Sequence, residues 1–276
     1  MKKEKLFLKF CAFFLIASVV LFPSCSQDEV SPQNEELTSQ QLIPSNEEII
    51  SYLVDAFNFH VEDIKISTTK DLIIVEGDML FSKNEILKDM LLAENQNGPS
   101  LRVHRKSTYL VGSTPRTITI NLAGLSSVAW RTAITQAASE WNSLSGDISF
   151  TVINTSQTTS GGINVRTAFA SDLGLDEYAV AAALLPTSNG NPGLYFYVLD
   201  ETLLNSTTAS QKKFAAVHEL GHAIGFEHTD TAEGVKLWIY AYNCDNTTDN
   251  FSVMRPVVRN WGGFSQCDQA AFNAIY

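Results

Sequence analysis

The chain has 276 residues, 45% hydrophobic and 18% charged, a length and balance that can bury a sizeable core and exclude a disordered or fibrous protein. Thirty acidic against 19 basic side chains give a formal net charge of −11, which repels phosphate backbones and anionic lipid heads, so nucleic acid is not an expected partner. One principal domain with a smaller companion is the organisation this length suggests.

Lys2, Lys3 and Lys5 precede the apolar run FCAFFLIASVVLF, residues 10–22, which has signal-peptide length and is short for a bilayer span. Residues 1–24 are therefore read as an export signal. The next letters, PSCSQDE, resemble a bacterial lipoprotein cleavage site, which would make Cys25 a lipidated new N-terminus; a conventional cleaved signal is the other reading, because Phe22 and Pro23 replace the usual aliphatic and small residues. Acyl chains on Cys25 would hold an outer-membrane or cell-surface lipoprotein to the bilayer without a spanning helix. Loss of residues 1–24 removes four lysines and one glutamate, leaving 15 basic and 29 acidic side chains and a net charge of −14.

Export also changes the meaning of the four cysteines. Cys11 leaves with the signal and Cys25 is the lipid site, so Cys244 and Cys267 remain as a pair in an oxidising compartment, where a disulfide is expected and two free thiols are the alternative. An unstrained bridge between them would stabilise the fold by roughly 3 kcal/mol through the unfolded chain.

Residues 25–45 are polar, acidic and proline-marked, and read as a flexible tether. At Ser45 the letters SNEE form a capping box, after which Ile49, Ile50, Leu53, Val54 and Phe57 recur at helical spacing. VEDIKI and DLIIVEGDMLF are rich in strand formers, and a second capping box, Ser82 to Glu85, opens ILKDMLL. Helix, two strands and helix make a small α+β unit over residues 46–98, ending in the turn-rich ENQNGPS. The basic stretch RVHRK, residues 102–106, follows it; this reads either as a solvated loop or as a cleavable connector with residues 46–98 as a propeptide.

The principal domain is placed at residues 99–276. RTITINL, residues 116–122, is a strand, and Trp130, Ile134, Ala137, Ala138, Trp141 and Leu144 fall on one side of a following helix, the tryptophans as core anchors. ISFTVI, INVRTAF, VAAALLP and LYFYVLD then read as successive strands separated by Ser, Thr, Asn and Gly clusters.

TTASQKKFAAVHELGHAIGF, residues 207–226, is apolar on almost every side and predicts a buried helix. His218 and His222, four apart, project from one face and can grip one ion. Gly225 can end the helix in a left-handed conformation and return His228 to the same ion. Three neutral imidazoles leave a tetrahedral Zn²⁺ one open position for water. Glu219 follows the first ligand and can reach that water as general base, passing its proton to the leaving amine in a peptide hydrolysis without a covalent intermediate.

HELGHAIGFEH, residues 218–228, carries the long pattern HExxHxxGxxH and resembles the metzincin zinc metallopeptidases, most of all the dual-action HEIGH metallopeptidase family. SVMRP resembles the metzincin methionine turn, which implies that Met254 supports the histidines from below. VAAALLP resembles the edge strand bounding the cleft, implying that an extended substrate pairs with Ala181, Ala182, Ala183, Leu184 and Leu185, with side-chain preference coming from a pocket beside the methionine turn. SQCDQAAFNAIY resembles the family's terminal helix. The implied fold is α+β, a metzincin-like zincin domain of mixed twisted sheet, active-site helix and C-terminal helix behind the small N-terminal unit. Astacin-like members place a tyrosine two residues after the methionine, where this chain has Pro256, so no tyrosine role is assigned.

Asp230 is either a hydrogen-bonding partner of a ligating imidazole or a loop cap, and His60 and His104 read as ordinary surface or partly buried histidines. The expected function is an exported, lipid-anchored, monomeric zinc endopeptidase acting on protein or peptide. The rival is a surface lipoprotein that binds protein or glycan and uses zinc as a structural staple; a glutamate beside the open position favours the enzyme.

Overall fold

The structure is a computed structural model that describes residues 44–57, 59–93, 106–114, 116–199, 207–229, 244 and 249–276. In chain order the elements are α1 (Asn46–Phe57), β1 (Ile64–Ile66), β2 (Leu72–Val75), β3 (Met79–Ser82), α2 (Lys83–Ala93), β4 (Arg116–Gly124), α3 (Val128–Asn142), β5 (Ile148–Ile153), β6 (Ile163–Ala168), α4 (Ala170–Leu173), β7 (Ala181–Leu184), β8 (Tyr195–Leu199), α5 (Ala209–Ile224) and α6 (Gln266–Ile275). This is a mixed α+β fold on one eight-stranded sheet of order β1-β2-β3-β7-β8-β6-β4-β5. Cys25, the export signal, His104 and Asp230 lie outside the described residues, as does all of RVHRK except Lys106. Among the described residues no helix is long and apolar enough to cross a membrane.

One expectation needs correction. DLIIVEGDMLF is not one strand. Glu76 at φ 51° and Gly77 at φ 94° turn the chain back, so Val75 pairs with Met79 and β2 and β3 form an antiparallel hairpin. The physical reason is the glycine, which reaches positive φ without a Cβ clash and permits a three-residue loop. β3 in turn pairs in parallel with β7, Met79 opposite Ala183 and Leu80 opposite Leu184, so strands from before and after residue 98 share one sheet. β7 is thus an interior strand here, with β8 antiparallel on its other side.

Burial explains the hairpin's place. Ile73, Val75, Met79 and Phe81 point to one side and pack with Ile49, Leu53 and Phe57 of α1, Ile86 of α2 and Leu185. Leu72, Ile74 and Leu80 point to the other and pack with Leu173, Leu175, Ala182, Leu184 and Leu199. A strand buried on both faces reads as a continuous apolar run, which is how LIIV and MLF look in the sequence.

The largest core lies where α3 and α5 cover the sheet. Ser127 caps α3 through the Trp130 amide, and Trp130, Ile134, Ala137, Ala138 and Trp141 are all buried. Trp141 donates its indole N–H to the Val217 carbonyl at 3.0 Å and stacks near Phe226, Phe264 and Phe272 at ring-centre distances of 5.7, 4.7 and 5.3 Å. It thereby ties α3, the end of α5 and α6 together. Cys244 and Cys267 form a disulfide with Cα atoms 5.5 Å apart, which ties the start of α6 to Cys244.

Candidate metal centre

Thr208 opens α5 with a capping box to Gln211, and every residue from Phe214 to Ile224 is buried. Gly225 closes the helix at φ 106°. A Cβ there would meet the Tyr109 carbonyl oxygen at 2.9 Å and Leu110 Cδ2 at 2.8 Å, so both the backbone angle and the space require glycine. The turn then brings His228 back beside His218 and His222.

The three imidazoles converge. Their Nε2 atoms are 3.0 Å (His218 to His222), 3.2 Å (His222 to His228) and 3.3 Å (His218 to His228) apart. Each ring is oriented by its other nitrogen: His218 Nδ1 faces the Val253 carbonyl at 2.7 Å, His222 Nδ1 the Phe226 carbonyl at 2.7 Å, and His228 Nδ1 the Glu76 carboxylate at 2.7 Å. Carbonyl and carboxylate oxygens can only accept, so each Nδ1 donates and a neutral ring turns its Nε2 lone pair inward. When all three rings are neutral, three buried acceptors face one another, and a cation between them satisfies all three. A tetrahedral shell with bonds of about 2.0–2.1 Å has edges of about 3.3 Å, the spacing found, so these residues fit a zinc ion.

A fourth ligand atom is present. Asp78, on the tip of the β2–β3 hairpin, places Oδ2 3.4 Å from His218 Nε2 and Oδ1 3.3 Å from His228 Nε2 and 3.9 Å from His222 Nε2. Asp78, His218, His222 and His228 together make a group that could hold a metal ion. Burial alone would raise the Asp78 pKa, but the three imidazoles hold it well below the usual carboxylate range. Burial and the two neighbouring imidazoles push His222 well down, as suits a neutral ligand. Burial opposes protonation of His228 too, yet the Asp78 and Glu76 carboxylates bring it up to about 10, so a metal ion binding there has to displace that proton.

Glu219 is 3% exposed, and its Oε2 has no hydrogen-bond partner. Burial raises its pKa well above the ordinary value, and the Asp78 charge adds to the effect. Met254 is buried below α5, where a Cβ on Gly221 would stand 2.5 Å from its Sδ. The glycine of HELGH is thus set by Met254, a close contact that spacing alone does not reveal. Gly221→Ala is expected to cost about 1–3 kcal/mol by overpacking that seam, measurable as a lower denaturation midpoint.

Sequence reasoning missed two functional groups besides Glu76 and Asp78. The Asp268 carboxylate accepts from Ser252 Oγ at 2.6 Å and from the Val253 amide at 2.9 Å, so α6 holds the turn whose Val253 carbonyl orients His218. Its signal was the Ser265–Asp268 capping box. Tyr276 donates its hydroxyl to the Ile224 carbonyl at the end of α5. For Glu76 and Asp78 the available signal was Gly77, a turn former inside an otherwise strand-like run. His60 is exposed and is not one of the four residues of the group.

A cavity of 230 Å³ adjoins the cluster, lined on the α5 side by Phe214 and Ala215 and on the methionine-turn side by Arg255, Pro256 and Val258, with Val180 and Ala181 of the β7 region above.

No curated protein matches the chain at the sequence level. Among solved structures, myroilysin is 16% identical with a TM-score of 0.39, the match covering 61% of this chain and 86% of that one. High choriolytic enzyme 1, a hatching enzyme zinc-protease from the medaka fish Oryzias latipes, is also 16% identical, with a TM-score of 0.35 and coverage of 59% and 91%. The sequence matches the dual-action HEIGH metallo-peptidase family over residues 73–235, a span that runs from the hairpin to beyond the third histidine. On that match the chain belongs to the dual-action HEIGH metallo-peptidase family and is a zinc metallopeptidase.

Proposed function

We propose that this protein is an exported zinc-dependent endopeptidase whose Glu219 acts as general base, anchored to a bacterial outer membrane or cell surface through lipid on Cys25. The observation that carries the catalytic part is the arrangement of Glu219: a buried carboxylate with a partnerless oxygen, one residue after a metal ligand. Zinc, when bound, would polarise a peptide carbonyl and acidify a water molecule. His218, His222 and His228 would hold it. Glu219 takes the proton from the attacking water and delivers it to the nitrogen of the leaving amine, so that water adds across the amide and no covalent enzyme intermediate forms. The pocket of Phe214, Arg255, Pro256 and Val258 receives a side chain of the bound peptide.

One observation favours the second reading, a structural metal. Asp78 gives the group a fourth protein ligand atom, and closed four-ligand sites are the structural kind. The two readings part on a chain in which that position is free. Full-length Asp78→Ala protein loaded with one zinc is expected to release peptides from a denatured proteome, detected by mass spectrometry, and to stop when a chelator is added. A chain that keeps its zinc and releases none is a structural metalloprotein.

A further inference from the structure

We propose that a second cavity, at the other end of β7 from the metal centre, binds an organic cation on an apolar stem, with Asp89 as its counter-charge. The ligand class is an alkylguanidinium or alkylammonium group of the kind that arginine and lysine side chains carry. This does not depend on the zinc-peptidase reading.

Asp89 is out of keeping with its place on α2. It follows Ile86 by three positions, so the two share a helix face, and Ile86 packs into the apolar cluster of Phe57 and Phe81. Asp89 is 4% exposed, and neither oxygen of its carboxylate has a hydrogen-bond partner. Lys88, the adjacent cation of the helix, is engaged with Glu85. Burial raises the Asp89 pKa, and the nearby Ser188 and Tyr109 hydroxyls lower it by less than burial raises it. A buried carboxylate left in that state costs stability. An apolar side chain would serve this face better, so the carboxylate is accounted for by a partner that arrives from outside the core.

The surroundings of Asp89 say what kind of partner. It lines a cavity of about 690 Å³, inside the range of about 300–1,000 Å³ usual for small-molecule sites. The rings of Phe81 and Tyr109 and the side chains of Ile86, Leu184 and Leu185 stand in the same wall, a surface that suits methylene groups leading to a charged head. Two cations line the cavity, Lys70 and Arg166, and neither bonds to Asp89; the Arg166 guanidinium lies 4.2 Å over the Tyr195 ring instead. Against these two stand the carboxylates of Asp71, Glu85, Asp89 and Asp172, so the field inside favours a positive ligand. The cavity shares no lining residue with the one beside the metal centre. β7 runs between them, Ala181 lining the metal-side cavity and Leu184 this one.

The test uses full-length, zinc-loaded chain and isothermal titration calorimetry with three probes: n-butylguanidinium, Nα-acetylarginine amide and the neutral isostere Nα-acetylcitrulline amide. Wild type is expected to bind at least one guanidinium probe saturably and about tenfold or more tighter than the citrulline probe, the scale of a hydrogen bond to a charged group. Asp89→Asn keeps the shape and removes the charge, and should lose about tenfold or more of that affinity by the same reasoning. Binding of the acetylarginine probe at least as tight as that of n-butylguanidinium supports a site for a peptide-borne side chain; binding of n-butylguanidinium alone supports a site for a free organic cation. Asp89→Leu supplies a measurement that needs no ligand: its thermal midpoint should rise above that of wild type, because a buried charge is replaced by an apolar group. The inference is overturned if neither guanidinium probe binds wild type, if the citrulline probe binds as tightly, or if Asp89→Asn binds as wild type does. A lower midpoint for Asp89→Leu also overturns it, since Asp89 would then serve the fold and not a ligand.

Discussion

Glu219→Gln, introduced into full-length Asp78→Ala chain, is expected to leave one bound zinc and lower kcat/KM for peptide hydrolysis by about 10²–10⁴-fold, the usual range for loss of a general base. Glutamine keeps the size of the side chain and one hydrogen-bonding oxygen but cannot take a proton at neutral pH. The three imidazoles are oriented by Val253, Phe226 and Glu76 rather than by Glu219, so the metal stays. Glu219 is buried, and burial, the larger of the two effects that raise its pKa and the one that remains without Asp78, pushes it up. That favours a group able to hold a proton between its removal from water and its delivery to the amine. Zinc stoichiometry by elemental analysis and initial rates on one peptide decide the matter; equal rates with and without the exchange would remove Glu219 from the chemistry.

Trp141→Ala is expected to destabilise the fold by about 3–5 kcal/mol, the range for removing a large buried aromatic, against a total stability of about 5–15 kcal/mol for a typical native protein. Trp141 is 1% exposed. Its removal leaves a cavity, deprives the Val217 carbonyl of its indole donor, and takes away the surface on which Phe226, Phe264 and Phe272 rest. Because Phe226 immediately follows Gly225, and its carbonyl orients His222, zinc affinity should fall along with the denaturation midpoint. Chemical denaturation and a zinc-competition titration measure the two effects. A loss below about 1 kcal/mol, typical of an exposed site, would mean that α3 does not anchor the active-site helix.

Much of the centre was legible because local geometry sets it. A four-residue step puts His218 and His222 on one helix face, and Gly225 ends that helix because only glycine tolerates φ 106° against the Tyr109 carbonyl. The apolar circumference of α5 announced its burial, and the one-sided pattern of α3 announced which face would pack. The pairing of Cys244 with Cys267 followed in the sequence from counting cysteines. Less legible was the hairpin. A run of strand formers interrupted by one glycine has the same apolar pattern whether it continues or folds back, since both faces of β2 and β3 are buried; period alone carries no direction.

By itself the sequence determined that three histidines meet at one helix and its closing turn, with a glutamate beside the first, since that depends on contacts within a few residues or a single turn. Only the tertiary structure decided that Asp78, 140 residues before His218 in the numbering, fills the position opposite the histidines and that β3 lies along β7. Such pairings are selected by how complementary apolar faces close on one another across the whole chain, a choice that no local spacing encodes.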